Sequence, residues 1–367
     1  MKTQSSRTNA NVVAHQSTRS ESRNRLSRSF AALLVLAAGL LLTVTPSFAQ
    51  NANPNDNPNQ IAILRWYHAN TAPSIYSMSG HNSSPVAFDG ENIWVASTDG
   101  YVAEYSTDGK LLYGPTALPS GSYPVGMAFD GTNIWITEFY SKAVDRINVN
   151  TKASTRFTTG NNPYFIAFDG ANMWIVNNGD ATVAAYKASN GTLVGAPHGT
   201  MGTGATGVAF DGQCIWVANT NSNNVAIIDA NSTGGHCPST LAGKVIATGV
   251  SQPFALAYDG KNMWVAYRGP SGSGPGGVVE LSGTSGAVLG TFGGCSSTNG
   301  TGTLLFDGAY IWVAGGASGG ACKYKSSLFA PPLGLVGKYS VGGSVNQVAF
   351  DGINIWGTLG GTGVAKF

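Results

Sequence analysis

Apolar and polar positions follow one repeated figure along most of the chain. An apolar run ends in Asp-Gly, a second apolar run carrying a tryptophan follows, and shorter alternating segments come next, separated by Gly, Asn, Ser and Thr. The figure occurs seven times: VAFDGENIWVA (86–96), MAFDGTNIWIT (127–137), IAFDGANMWIV (166–176), VAFDGQCIWVA (208–218), LAYDGKNMWVA (256–266), LLFDGAYIWVA (304–314) and VAFDGINIWGT (348–358). Its tryptophans, Trp94, Trp135, Trp174, Trp216, Trp264, Trp312 and Trp356, are spaced by 41, 39, 42, 48, 48 and 44 residues. Strand-type units of that period are propeller blades.

The second unit reads as four strands. PVGMAFD is an apolar run, and Asp130-Gly131 opens a tight turn in which glycine supplies positive φ and the aspartate accepts from the next backbone N–H groups. NIWITEF is rich in β-branched and aromatic residues, and AVDRINVN and TRFTTG complete the blade. A lone blade of this kind is apolar on both faces. A ring of blades buries both faces against neighbours, with each tryptophan as the large plate between them. The repetition is therefore a packing requirement, and Asp89, Asp130, Asp169, Asp211, Asp259, Asp307 and Asp351 are read as structural with their tryptophans. The predicted fold is all-β, a seven-bladed propeller of four-stranded antiparallel blades over residues 60–367. The seventh unit stops at TGVAKF, a third strand. The segment QIAILRWYHAN (60–70) is expected to supply its missing fourth strand and hide an open edge.

The first 49 residues break the pattern. Arg7, Arg19, Arg23, Arg25 and Arg28 precede the uncharged run FAALLVLAAGLLLTV, and Ser47 and Ala49 offer small residues at −3 and −1 of a cleavage site. This is the layout of a secretory signal over 1–49, too short to be read as a spanning helix. Residues 50–59 form an Asn/Pro-rich spacer with nothing to bury, expected to be disordered. The expected mature chain is a periplasmic or secreted monomer without a membrane span. It keeps 14 basic and 17 acidic residues, and no basic patch suits nucleic acid. Only 10% of the whole chain is charged while 43% is hydrophobic and 50 residues are glycine, a turn-rich β composition with ample core.

Four cysteines in an exported chain favour disulfides. Cys214 lies at a 1–2 turn and Cys237 in the 3–4 loop of the fourth unit. Cys295 lies in the link between units five and six, and Cys322 follows the 2–3 loop of unit six. Blade topology puts the members of each pair on a common face and selects Cys214–Cys237 and Cys295–Cys322.

The pattern P-x-x-[IVM]-A-F-D-G-x-N-[IM]-W-[VI] resembles the repeats of secreted bacterial propellers of the YVTN/NHL-like group. The resemblance implies architecture and is nearly silent on activity. Virginiamycin B lyase-type propellers have similar repeats, often reading W-F-T-E, which only IWITEF with Glu138 approaches. That resemblance would imply a channel with His, Glu and a magnesium ion. None of the five histidines (His15, His68, His81, His198, His236) falls on an inner strand. Gluconolactonase-type propellers would hold a divalent cation with Glu, Asn and Asp, for which Glu138 and Asp180 are the acids on offer.

The mouth formed by the 2–3 loops and blade links gathers Tyr123, Glu138, Tyr140, Asn161, Asn177, Asn219, Tyr267 and Arg268. Aromatic faces with amide groups suit a peptide, a glycan or a protein surface. Arg268 is the sharpest of them, flanked by a Gly/Ser/Pro loop. The expected role is a non-catalytic binding or interaction module, without a cofactor. The alternative is a lyase or lactonase in the channel, dependent on a divalent cation.

Overall fold

The computed structural model describes residues 73–78, 80–119, 121–229, 237–270, 274–296, 300–315, 320–325, 334–361 and 363–367. The expected signal, the spacer, the 60–70 segment, His15, His68 and His236 lie outside them.

The described chain forms seven four-stranded antiparallel sheets, and each repeat builds one. A short strand, β1 (Ser74–Ser77), comes first. Blade 1 contains β2 (Ser83–Phe88), β3 (Asn92–Ser97), β4 (Tyr101–Ser106) and β5 (Leu111–Ala117). Blade 2 contains β6 (Pro124–Phe129), β7 (Asn133–Glu138), β8 (Ala143–Asn148) and β9 (Ser154–Thr158). Blade 3 contains β10 (Pro163–Phe168), β11 (Asn172–Asn177), β12 (Thr182–Lys187) and β13 (Leu193–Gly199). Blade 4 contains β14 (Ala205–Phe210), β15 (Cys214–Asn219), β16 (Asn224–Asp229) and β17 (Val245–Ala247). Blade 5 contains β18 (Pro253–Tyr258), β19 (Asn262–Tyr267), β20 (Gly276–Ser282) and β21 (Val288–Ser296). Blade 6 contains β22 (Leu304–Phe306), β23 (Tyr310–Ala314), β24 (Ala321–Lys325) and β25 (Gly334–Tyr339). Blade 7 contains β26 (Val345–Phe350), β27 (Ile355–Leu359) and β28 (Gly363–Lys366), and its sheet order is β1-β28-β27-β26.

An N-terminal strand does close the last blade, but it is β1 and not residues 60–70. Ser74 pairs with Lys366 and Ser77 with Gly363. The reason is the length of the link. Fourth strands elsewhere end only a few residues before the next first strand, as in 159–162 between β9 and β10. β2 begins at Ser83, so the strand before it must end near residue 77. Side chains then lock the ring: Ser83 Oγ donates to the Leu359 carbonyl at 2.9 Å, and Thr358 Oγ1 donates to the Ser84 carbonyl at 2.7 Å.

The core consists of seven apolar clusters, one at each seam between neighbouring blades. Between blades 1 and 2, Trp94, Ala96 and Val102 meet Ile134, Ile136 and Ile147. Side chains alternate along a strand, so Trp135 points the other way, onto Ile166, Met173 and Ile175 of blade 3. Each tryptophan thus faces the next blade. Arg146, opposite Trp135 in the register, lies over that ring at 5.6 Å, and Lys323 and Lys366 take the same place over Trp312 and Trp356. The position opposite Trp94 is the buried Glu104, and here Lys152 of blade 2 supplies the cation, paired with Glu104 and 4.6 Å from the ring.

Both disulfides form as expected. Cys214–Cys237 staples blade 4, with Cα atoms 4.7 Å apart. Cys295–Cys322, with Cα atoms 5.5 Å apart, crosses the seam between blades 5 and 6. Cys295 is not in the blade link, as the sequence suggested, but inside β21, which runs to Ser296.

Candidate functional site

Each Asp-Gly turn repeats one arrangement. The turn glycines Gly90, Gly131, Gly170, Gly212, Gly260, Gly308 and Gly352 have φ between +92° and +98°, which side chains resist. In blade 2 one carboxylate oxygen of Asp130 accepts the backbone N–H groups of Thr132 at 2.8 Å and Asn133 at 2.7 Å. Its other oxygen accepts the indole N–H of Trp135 at 2.7 Å. The Asp–Trp bond recurs in all seven blades at 2.6–2.8 Å. These carboxylates are committed to the turns and offer little to a ligand.

The first strands surround a central cavity of about 190 Å³, lined by Val86–Phe88, Met127–Phe129, Phe165–Phe168, Val208–Phe210, Ala255–Tyr258, Thr303–Phe306 and Gln347–Ala349. Among the described residues no carboxylate or histidine lines it, and the polar side chains there are Thr303, Gln347 and Tyr258.

At the 2–3 loop end, aromatic rings cross the axis. Tyr164 and Phe165 of blade 3 meet Phe254 of blade 5 edge to face, with centroids 5.8 and 5.3 Å apart, although blade 4 separates them around the ring. Threonines of neighbouring blades hold these strands in place. Thr137 Oγ1 donates to the Tyr164 carbonyl, and Thr206 Oγ1 donates to the Phe254 carbonyl at 2.8 Å. The Gln347 side-chain amide reaches over to the Val125 carbonyl at 2.6 Å. From this plug, rings continue outward through Phe139, 5.7 Å from Tyr164, to Tyr140 and Tyr123. Tyr140 is 66% exposed and forms the outer end of the path.

Arg268 closes the other end. Its guanidinium carbon lies 3.2 Å above the Phe254 ring, and its Nε donates to the Thr301 carbonyl at 3.2 Å. Burial pulls its pKa below the ordinary arginine value, and the neighbouring Tyr164 hydroxyl opposes that shift. Arg268 makes no ion pair among the described residues.

The structure brings Tyr123, Tyr140 and Arg268 onto one aromatic path and parts the other sequence-picked residues from it. Asn161 is engaged with Asp180, whose carboxylate accepts the Asn161 backbone N–H at 2.6 Å as well as the side-chain amide. Those bonds hold Asp180 below its ordinary pKa. Asn177 and Asn219 are buried struts of their own loops. Asn177 donates to Thr182 at 3.2 Å, and Asn219 donates to the Thr200 carbonyl at 2.7 Å and to Asn224 at 2.8 Å. They lie beneath Gly160 and Gly202, where a Cβ would approach either amide carbon to 2.6 Å. Tyr267 turns away from Arg268 and packs on the seam between blades 4 and 5. His81 pairs with Asp99 outside the cavity, and His198 sits on β13 beside Trp174.

Glu138 departs most from its expected place. It follows Ile134 and Ile136 on the face of β7 turned to blade 1 and is fully buried. Asp145, opposite Ile136 and also fully buried, shares that face with Arg156, opposite Asp145. Arg156 Nη1 lies 3.7 Å from Asp145 Oδ2. Burial, and then the neighbouring Asp145, push the Glu138 pKa up to about 8. Burial likewise raises that of Asp145, against the pull of Arg156. Sequence reading missed Asp145, Arg156 and the plug of Tyr164, Phe165 and Phe254. Aligning the third strands would have exposed Asp145, because its counterparts are Ala103, Ala184, Ala226, Val279, Cys322 and Ala365.

No family model matches the chain, and no curated protein matches it by sequence. Solved structures do. The WD40 repeats of RRP9 share 12% identity at a TM-score of 0.67, covering 81% of this chain and 97% of that one. A streptogramin B lyase shares 11% identity at a TM-score of 0.62, over 80% of this chain and 96% of the other. A hydrazine synthase chain of Kuenenia stuttgartiensis shares 15% identity at 0.63, over 82% and 99%. At such identities the likeness establishes the propeller fold, in company that includes both a repeat domain and enzymes.

Proposed function

We propose that this propeller is a non-catalytic binding module of the bacterial envelope or exterior. Its ligand lies across the 2–3 loop mouth, and it is a peptide or glycan that carries a carboxylate or similar anion. The observation that carries this reading is Arg268, stacked on Phe254 beside Tyr164 with no acidic partner among the described residues. A guanidinium fixed in that way presents its remaining N–H groups to an anion. Tyr123 and Tyr140 at the far end of the path offer ring faces to the ligand's flat or apolar body. The basic leader with its apolar run and the two disulfides support export to an oxidising compartment.

A channel enzyme of lyase or lactonase type needs an acid–base pair or a set of anionic metal ligands in the channel. Apolar side chains and three neutral polar ones line this cavity, which favours the binding module.

The test is a screen of the mature protein against arrays of acidic and neutral oligosaccharides and of peptides. Hits are to be repeated with Arg268→Gln and with Tyr140→Ala. Selective retention of acidic members, weakened at least tenfold by R268Q, supports the reading. Binding untouched by both variants places the ligand elsewhere and overturns it.

A further inference from the structure

Glu138 ends β7, where the strand gives way to the loop that carries Phe139 and Tyr140. Glu138 and Asp145 are both fully buried, and none of their four carboxylate oxygens has a hydrogen-bond partner. Arg156 Nη1 stands 3.7 Å from Asp145 Oδ2, and Arg156 Nη2 is buried without a partner. Two acids beside one guanidinium leave one negative charge in excess, and desolvation penalises an unpaired buried charge heavily. A proton on Glu138 removes that excess and leaves Asp145 facing Arg156.

Nothing else packed around Glu138 can take the proton's place. β8 brings Asp145, β9 brings Arg156, and β6 carries no titratable side chain. Blade 1 presents Trp94, Ala96, Val102 and Leu118, and Lys152 is committed to Glu104 across the same seam. Lys142, on the loop itself, is exposed and acts on Asp180. The Ser122 hydroxyl and the Tyr123 N–H lie toward the carboxyl without completing a hydrogen bond, and the hydroxyl donates to the Pro119 carbonyl at 2.6 Å.

Two segments outside the strands meet at this carboxyl, and both present rings of the aromatic path. One is the link of residues 119–123, which ends in Tyr123. The other is the 2–3 loop of residues 139–142. Few bonds tie them: the Phe139 N–H donates to the Tyr123 carbonyl at 3.0 Å, Ser141 Oγ donates to the Gly121 carbonyl at 2.6 Å, and the Ser141 N–H donates to the Glu138 carbonyl at 3.2 Å. Gly121, Tyr140 and Lys142 are exposed, and Lys142 holds φ at +52°, a left-handed conformation that side chains resist. An ionised Glu138 regains water by displacing these segments at a smaller cost than by breaking the pairing of β7 with β6 or β8.

We propose that Glu138 is a proton-operated latch on the Tyr123 and Tyr140 end of the mouth. Neutral, it keeps the link and the loop closed over the seam. Ionised, it releases both and moves the two tyrosines off the path that leads to Arg268. The folded protein holds this proton up to about pH 8, so the latch is closed below that pH and opens above it. The consequence for a ligand rests on the binding role proposed above, whereas the movement of the loop does not.

The experiment is hydrogen exchange of the mature protein at pH 6.5 and 9.5, read by mass spectrometry over residues 119–123 and 139–142 and corrected for the intrinsic rate at each pH. Blade 3 is the internal control. There Asn177, which does not ionise, takes the place of Glu138, and the Asn178 N–H donates to the Asn162 carbonyl at 3.0 Å as Phe139 does to Tyr123. Protection of the two blade 2 segments should fall about tenfold or more in wild type and hold in Glu138→Gln, while residues 160–162 and 178–181 hold in both. Asp145→Asn leaves Glu138 with Arg156 alone and should move the midpoint of the fall down by about one pH unit or more. E138Q mimics the protonated acid and needs no counter-charge, so it should fold as wild type does at pH 6.5. No fall in wild type, or an equal fall in E138Q, would overturn the latch. A parallel fall in every blade would overturn it too, because Glu138 would then act on global stability alone. The exchange needs no ligand: a screen without an Arg268-dependent binder would strike the binding role and leave the latch standing, and a failed latch leaves binding at Arg268 untouched.

Discussion

Trp135 donates its indole N–H to the carboxylate of Asp130, five residues earlier, at 2.7 Å. The bond crosses from the turn to the second strand, so a single aspartate fixes both the reversal and the plate on which the next blade packs. Burying an indole this completely needs a partner for its nitrogen, and the turn carboxylate is that partner.

Removing it should be expensive. Asp130→Ala strips the acceptor from the Thr132 and Asn133 backbone N–H groups and from Trp135, and should destabilise by roughly 3 kcal/mol or more. Trp135→Phe keeps most of the plate and loses one bond, so about 1–2 kcal/mol is expected. Denaturant midpoints of the two variants check the order. A W135F loss equal to that of D130A would mean that packing, not the carboxylate, dominates.

Glu138 makes stability depend on pH. Its ordinary pKa of 4.5 is raised to about 8 in the folded protein, so the folded state holds this proton over a range in which the unfolded state has lost it. Stability from this group is therefore full below pH 4.5 and falls as pH climbs to about 8, at about 1.4 kcal/mol per unit. Glu138→Gln should flatten that fall. Melting curves at pH 5, 7 and 9 should show the variant gaining on wild type as pH rises.

The disulfides join residues 23 and 27 positions apart. On loop-closure entropy, opening either should cost about 3 kcal/mol. Paired Cys→Ser variants, compared by urea unfolding, measure each separately.

The seventh blade is complete from residue 74 onward. A chain beginning at residue 73 should therefore melt close to the full mature protein, whereas one beginning at residue 78 leaves β28 as an open edge. The shorter chain should lose several degrees and self-associate, visible by light scattering.

Fold was legible because one unit, repeated seven times, reports its own strand boundaries, and because the Asp-Gly turn and tryptophan carry strong local constraints. The spacing of five between Asp and Trp was in plain view, but its hydrogen bond depends on how the indole reaches back over the turn. The closing strand was placed too early because QIAILRWYHAN looks more strand-like than Ser74–Ser77, whereas link length decides the slot. The site was less legible. Glu138, Asn177 and Asn219 occupy equivalent positions at the ends of second strands, where sequence cannot tell a side chain aimed at the mouth from one folded into a seam or beneath a glycine. The aromatic plug joins blades that are not adjacent, so no local pattern could announce it.

The pairing of Ser74 with Lys366 also sets a timetable. The strand that completes the ring precedes every other strand of the propeller in the chain, and its partner β28 is the last of them. Until β28 is made, blade 1 has no neighbour on one side and β1 has no sheet to join. Closing a loop of almost the whole propeller carries an entropic penalty of roughly 5 kcal/mol, which only the finished seams can offset. Circularity is thus an all-or-none event that waits for the last strand of the propeller. A chain stopped even one strand short would have two raw edges, and a quality-control protease could recognise it by them.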